Sequence, residues 1–228
     1  RVPAALIPLF QQAAARYPVA TGRAAPRTEL SKPILPEESP ACEAQPSLGD
    51  PPYRRVHVYA VDPSFSTRLD TVDSNEVTLQ VRWEKLAPGP VGEYLAVEDV
   101  DAAGKRYAPV DLDAPRLLAQ DGWAPSEGNP QFHQQMVYAV AMKTIEHFER
   151  ALGHSMRLAG VGRRASVYPR LRLFPHAFYG ANAFYSRELN GILFGYFLAD
   201  VENPGPNLPG QTVFTCLSHD VVAHETTH

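Results

Sequence analysis

No stretch of this chain approaches the ~18 consecutive apolar residues that a membrane-spanning helix needs, so the sequence holds no candidate span. Cysteine is almost missing. The two in 228 residues, Cys42 and Cys216, are too few for a disulfide scaffold, and that count leaves either one bridge or two free thiols open. An excess of one charge is missing too. With 25 acids against 21 bases the formal net charge is -4, which gives no electrostatic reason to expect nucleic acid or an anionic membrane as a partner. There is no glycine-rich phosphate loop, no GxSxG elbow and no CxxC pair, so the short motifs for phosphate cradling, serine hydrolysis and dithiol redox chemistry are absent.

What is present fits an ordinary globular protein. The 44% hydrophobic and 20% charged residues lie in the normal range, and the length suffices for one good core and part of a second. The chain begins at Arg1. RVPAALIPLFQQAAARYP carries a short apolar run without a clustered basic start or a small-residue cleavage site. The expectation is a leader already removed, or a segment that starts inside a longer protein, and the compartment stays open.

Residues 1–52 differ from the rest. Prolines at 18, 26, 33, 36, 40, 46, 51 and 52 punctuate them, removing backbone donors and biasing their predecessors away from helix. This part reads as an extended proline-rich arm on the folded body; a pro-segment covering an active site is the sharper alternative. From Tyr53 the pattern becomes β-rich. RRVHVYAVD and VTLQVRW alternate and are rich in β-branched residues, so both read as strands. Residues 93–100 and 106–110 read as a hairpin around Ala102-Ala103-Gly104-Lys105.

Asn129-Pro130 then opens a long helix, asparagine as N-cap and proline at the first helical position. Val137, Ala141, Ile145, Phe148 and Leu152 follow helical spacing and predict one buried face, with Gly153 as terminator. His133 and His147 on this helix read as surface or packing residues, since neither has a second ligand type one turn away. Residues 171–199 return to strands, with Asn190-Gly191 as a two-residue hairpin signal.

The last residues carry the chemistry. His224-Glu225-Thr226-Thr227-His228 is an HExxH sequence. On a helix, side chains four apart lie one above the other, so two imidazoles can share one zinc ion at about 2.0–2.1 Å each. Glu225 then sits where it can act as general base on an attacking water. The segment favours helix: Ser218 or Asp220 can cap it, and Leu217, Val221 and Val222 provide apolar positions. The plain alternative is a polar helix end that binds no metal.

The match extends beyond five residues. Asp220 to His228, DVVAHETTH, resembles the DVVxHExTH helix of the thermolysin-like zinc metallopeptidases (gluzincins), and Asn182-Ala183-Phe184-Tyr185 resembles their NAF-aromatic strand. The long helix at 130–152 fits the same order of elements, so the likeness covers about residues 130–228. The resemblance implies an α+β fold: a zincin-like N-terminal lobe over residues 53–228, with a mainly antiparallel sheet, a long packing helix and a terminal active-site helix. It implies that His224 and His228 ligate Zn2+, that Glu225 is the catalytic base, and that a glutamate on a later helix is the third ligand. Asn182, Ala183, Phe184 and Tyr185 would bind a polypeptide substrate at an edge strand; the plain reading of Asn182 is a turn residue, and of Phe184 and Tyr185 core aromatics. Asp220 matches a position that holds calcium in some members, but helix capping is the simpler role here. The resemblance also implies a C-terminal lobe as partner, a secreted location, and a segment that is inactive alone. Two alternatives stand beside it. One is a non-catalytic peptide-binding module. The other is a processed pro-piece, in which Cys42 would cap the zinc.

Overall fold

A computed structural model describes residues 50–67, 71, 74–156 and 170–228 of the chain. The expected arm over 1–52, apart from residues 50–52, lies outside the described residues, and Cys42 with it. The described part has an α+β fold in two sheets with a helix between them. No helix among the described residues is long and apolar enough to cross a membrane.

Strands β1 (Tyr53–Tyr59) and β2 (Glu76–Arg82) form an antiparallel ribbon, Tyr53 opposite Arg82 and Tyr59 opposite Glu76. Both expected strands are present here. Their alternation turns Val56, Val58 and Val81 inward, fully buried. Arg54 points the same way. Its guanidinium donates to Leu112 O at 2.5 Å and Glu84 O at 2.9 Å and pairs with Asp113, which compensates the buried cation.

The second sheet holds β3 (Leu95–Val97), β4 (Leu171–Tyr179), β5 (Ala183–Ser186), β6 (Gly191–Leu198) and β7 (Thr212–Phe214). Its order is β3-β4-β6-β5, with β7 beside the far end of β6. The sheet is mixed. β3–β4 and β4–β6 are parallel, while β5 and β7 run antiparallel to β6. The mainly antiparallel expectation thus describes the β1–β2 ribbon and the outer flank of β6, not the centre of this sheet. The long crossover between β3 and β4 makes that pair parallel, as such a connection allows.

Two turn expectations change in detail. Leu95–Val97 pairs with β4, not with residues 106–110; only the bridge Val100–Arg106 closes the expected hairpin. The turn itself is present, held by Asp101, whose carboxylate accepts from the amides of Ala103 (3.0 Å) and Lys105 (2.9 Å). The β5–β6 hairpin forms, but Ser186 pairs with Gly191, so its turn is residues 187–190, with Asn190 at φ 46°.

A short helix α1 (Pro115–Ala119) precedes the long helix α2 (Pro130–Leu152). Asn129 caps α2 by accepting from Gln131 N at 3.1 Å, and Gly153 ends it at φ 73°, where a side chain would be strained. From Phe132 to Met142 every residue is buried. That exceeds the single face the spacing predicts, because α2 lies between the ribbon and the five-stranded sheet. Phe148 and Leu152, expected inside, are 39% and 53% exposed, since the last turns run past that cover. The buried polar residues on α2 anchor irregular chain: Gln134 accepts from Val110 N at 2.8 Å, and Gln135 from Trp123 N at 2.8 Å.

β4 carries a bulge. Its register with β6 shifts between Phe174 and Phe178. Before it, Leu171 and Leu173 join the core around α2; after it, Phe178 joins Phe174 in a second cluster on the opposite face. The shift leaves His176 on the α2 side, the re-aiming that a bulge produces.

Candidate functional site

Helix α3 (His219–Thr227) follows a 3-10 turn at Thr215–Leu217. Ser218 takes the N-cap position, extended at φ -80°, without a side-chain cap bond, and Asp220 places its charge in the first turn, at the positive end of the helix dipole. Two bonds to the end of β1 fix the start: His219 Nδ1 to Tyr59 O at 3.0 Å, and His219 N to Val61 O at 3.3 Å. Val222 is fully buried and Val221 and Ala223 pack against the main core. With that face held inside, the positions of His224 and His228 come to the surface.

The two imidazoles face each other. Their Nε2 atoms are 3.1 Å apart and their ring centroids 4.8 Å. Tetrahedral zinc with Zn–N of about 2.0–2.1 Å requires a nitrogen-to-nitrogen edge of ~3.3 Å, so the pair fits the ion with little movement. Glu225, half-buried, is on the neighbouring helix position and borders both hollows beside the helix. Among the described residues no third His, Cys, Asp or Glu joins this pair; the one such group of three lies elsewhere.

β5 forms the opposite wall. One hollow of about 450 Å³ is bordered by Asn182, Ala183, Asp220, His224 and Glu225. A second of about 570 Å³ is bordered by Ala183, Phe184, Tyr185, Glu225 and His228. They share Ala183 and Glu225, so the predicted base and the predicted substrate strand border the same two hollows. Among the described residues, β5 pairs with β6 on one side only. Asn182 O accepts from Gly195 N at 2.9 Å; strand alternation therefore turns the N–H and C=O of Ala183 away from β6, toward α3.

The other residues of that strand separate. The Asn182 side chain is exposed. Phe184 is 37% exposed, its ring 5.4 Å from Phe178. Tyr185 packs against the core and donates its hydroxyl to Asn190 Oδ1 at 3.1 Å. All seven residues singled out in the sequence thus border one or both of these two hollows, which share Ala183 and Glu225.

A second cluster was not legible in the sequence. His133 on α2, His176 on β4 and Cys216 in the 3-10 turn bring their ligand atoms within 4.8 Å of one another, all buried. His133 Nδ1 lies 2.7 Å from His176 Nε2. Each ring is pinned from behind: His133 Nε2 by Glu127 O at 3.0 Å, and His176 Nδ1 by Asp99 Oδ1 at 2.6 Å. Gln134 Nε2 donates to the other oxygen of Asp99 at 2.8 Å. Burial, with His176 beside it, lowers the His133 pKa to about 3, and burial near Asp99 pushes the Cys216 thiol well up. The sequence reads His133 as a surface or packing residue; it is buried, and its partners come from strand and turn, 43 and 83 positions later. The one signal was a histidine within the apolar run LFPHAFY.

Compared with protein-family models, with curated proteins and with solved structures, the chain matches none.

Proposed function

We propose that this chain is the front lobe of a zinc-dependent metalloendopeptidase, with His224 and His228 as two of the metal ligands and Glu225 as general base. The observation that supports it most is the 3.1 Å approach of two imidazole Nε2 atoms on the wall of a groove whose other wall is an unpaired strand edge. A zinc ion there would polarise the scissile carbonyl and make a water acidic enough to attack at neutral pH.

The chain's own residues do the rest. The edge of β5 receives an extended polypeptide, Ala183 offering its outward C=O and N–H as the next strand would. Asn182 supplies an exposed side-chain amide at the head of that edge. Peptide laid along β5 passes in front of Glu225. Its carboxylate takes a proton from the attacking water and returns it to the departing amine. A catalytic zinc takes three protein ligands, and the resemblance assigns the third, a glutamate, to a later helix of the full-length product. Activity is therefore assigned to that product, with a second lobe enclosing the groove.

The test is cleavage of an unfolded polypeptide by full-length protein loaded with zinc. Glu225→Gln should abolish turnover by about 10²–10⁴-fold while zinc stays bound. Stoichiometric zinc missing from the active-site pair would refute the reading. The outward edge of β5 beside the exposed Asn182 side chain supports, as second reading, a peptide-binding module without hydrolysis. Equal peptide affinity in parent and Glu225→Gln, with no turnover in either, would establish it.

A further inference from the structure

We propose that His133, His176 and Cys216 form a second metal site, a buried one with three protein ligands and a fourth position open, for a borderline-soft divalent ion such as zinc, separate from the His224–His228 pair. The ligands are His133 Nδ1, His176 Nε2 and the Cys216 thiolate, whose atoms already lie within 4.8 Å of one another.

The arrangement behind the ligands carries the inference. A metal-bound histidine presents one nitrogen lone pair to the ion and donates its other N–H to a carbonyl or carboxylate. Both rings are held that way. His133 Nε2 meets a backbone carbonyl, Glu127 O, and His176 Nδ1 meets Asp99, itself fixed by Gln134. A neutral imidazole that donates from its rear nitrogen has a bare lone pair in front. Two such lone pairs would then confront each other at 2.7 Å. Something positive must stand between them, either a shared proton or a cation. The buried sulfur within reach of both nitrogens is what a proton does not need and a soft cation does.

The nitrogen spacing and the charges agree, and the Cys216 sulfur, within 4.8 Å of both nitrogens, would close on the ion. Opening the nitrogen pair by about half an ångström gives the ~3.3 Å tetrahedral edge of zinc with Zn–N near 2.05 Å. A divalent ion, the Cys216 thiolate and the Asp99 carboxylate sum to zero charge in a site where all four side chains are no more than 8% exposed. Binding displaces the thiol proton and the proton shared between the imidazoles, and both go to solvent. Phe214 lies 4.6 Å from the His133 ring and 5.4 Å from that of His176, ring centre to ring centre, and helps keep water out.

Such an ion would join α2, β4 and the turn that launches α3. Cys216 precedes the N-cap of α3 by two positions, so the buried ion would hold the helix on which His224 and His228 stand. This inference does not depend on the peptidase reading.

The experiment is cobalt(II) substitution of chelator-treated protein in a Cys42→Ser background, where Cys216 is the sole thiol. The expected result is a thiolate-to-cobalt charge-transfer band in the near ultraviolet at one ion per chain. It should be lost in Cys216→Ser and retained in the His224→Ala/His228→Ala double variant. Circular dichroism reads folding in each case. In that double variant, zinc at 100 times its Kd should also raise Tm by about 5–10 °C. The proposal is overturned by the absence of the band from folded parent protein, by its survival in Cys216→Ser, or by its loss in the double variant. Should Cys216→Ser fail to fold, the band and the zinc-dependent Tm in the double variant decide alone.

Discussion

Gly195 in β6 seats the start of β5, the strand proposed to receive peptide, and replacing it with alanine tests that seating directly. A Cβ at this position would stand 2.2 Å from Gly180 O, 2.8 Å from Asn182 O and 2.8 Å from Phe178 Cε2. Two of these are backbone oxygens of the chain that turns from β4 into β5, so no side chain can swing aside. Gly195 N also donates to Asn182 O at 2.9 Å, and Gly195 O accepts from Thr215 Oγ1 at 2.9 Å. Overpacking of this kind costs about 1–3 kcal/mol, and the lost or stretched backbone bond adds ~1 kcal/mol. For a domain of this size each kcal/mol shifts Tm by about 2–4 °C, so a drop on the order of 10 °C is expected by calorimetry. The start of β5 would move with it, and full-length Gly195→Ala should lose affinity for peptide more than turnover of bound peptide. Gly128→Ala is the control, because nothing lies within 4 Å of its Cβ position; it should stay within about 0.5 kcal/mol of the parent. A Gly195→Ala protein that melts with the parent would refute this account of how β6 seats the groove.

Other consequences can be measured separately. His224→Ala and His228→Ala should each raise the zinc concentration that restores activity to chelator-treated full-length protein by at least ~100-fold; unchanged reactivation excludes the pair as ligands. Asp113→Asn leaves the buried Arg54 guanidinium without its counter-charge and should cost about 2–4 kcal/mol in urea unfolding; a loss under ~0.5 kcal/mol would show that Leu112 O and Glu84 O suffice. Burial alone would raise the Glu149 carboxyl, but Tyr94, the Met156 amide and Arg82 together hold it below its ordinary 4.5. The folded pKa is thus the lower one, so its stabilisation is present above pH 4.5 and disappears as pH falls through the folded value. Glu149→Gln should therefore cost about 1–2 kcal/mol at pH 7 and less in acid, once the carboxyl of the folded parent is protonated. Equal losses at both would contradict the sign.

Local chemistry made much of this fold legible without coordinates. Asn129-Pro130 and Gly153 bracket α2 because a cap acceptor, a residue without an amide proton and a left-handed terminator act within a few residues. The β1 and β2 strands follow from strict alternation. The spacing of His224 and His228 needs only a helix to bring the rings together, and the apolar Val221, Val222 and Ala223 hold that helix against the core. These are near-neighbour effects, written into adjacent residues.

Tertiary structure decided the rest. The parallel centre of the sheet, with β4 paired to β3 and β6, depends on a long crossover from β3 to β4 and on β5 lying outside β6, neither of which periodicity encodes. Burial of α2 on every side follows from two sheets closing over it, and the exposure of Phe148 and Leu152 from where that cover ends. The His133–His176–Cys216 cluster joins residues 40 to 83 positions apart, aimed by a one-strand bulge. Chain spacing carries information about a site when its ligands lie a few residues apart; here three separate elements converge, and only packing brings them within reach.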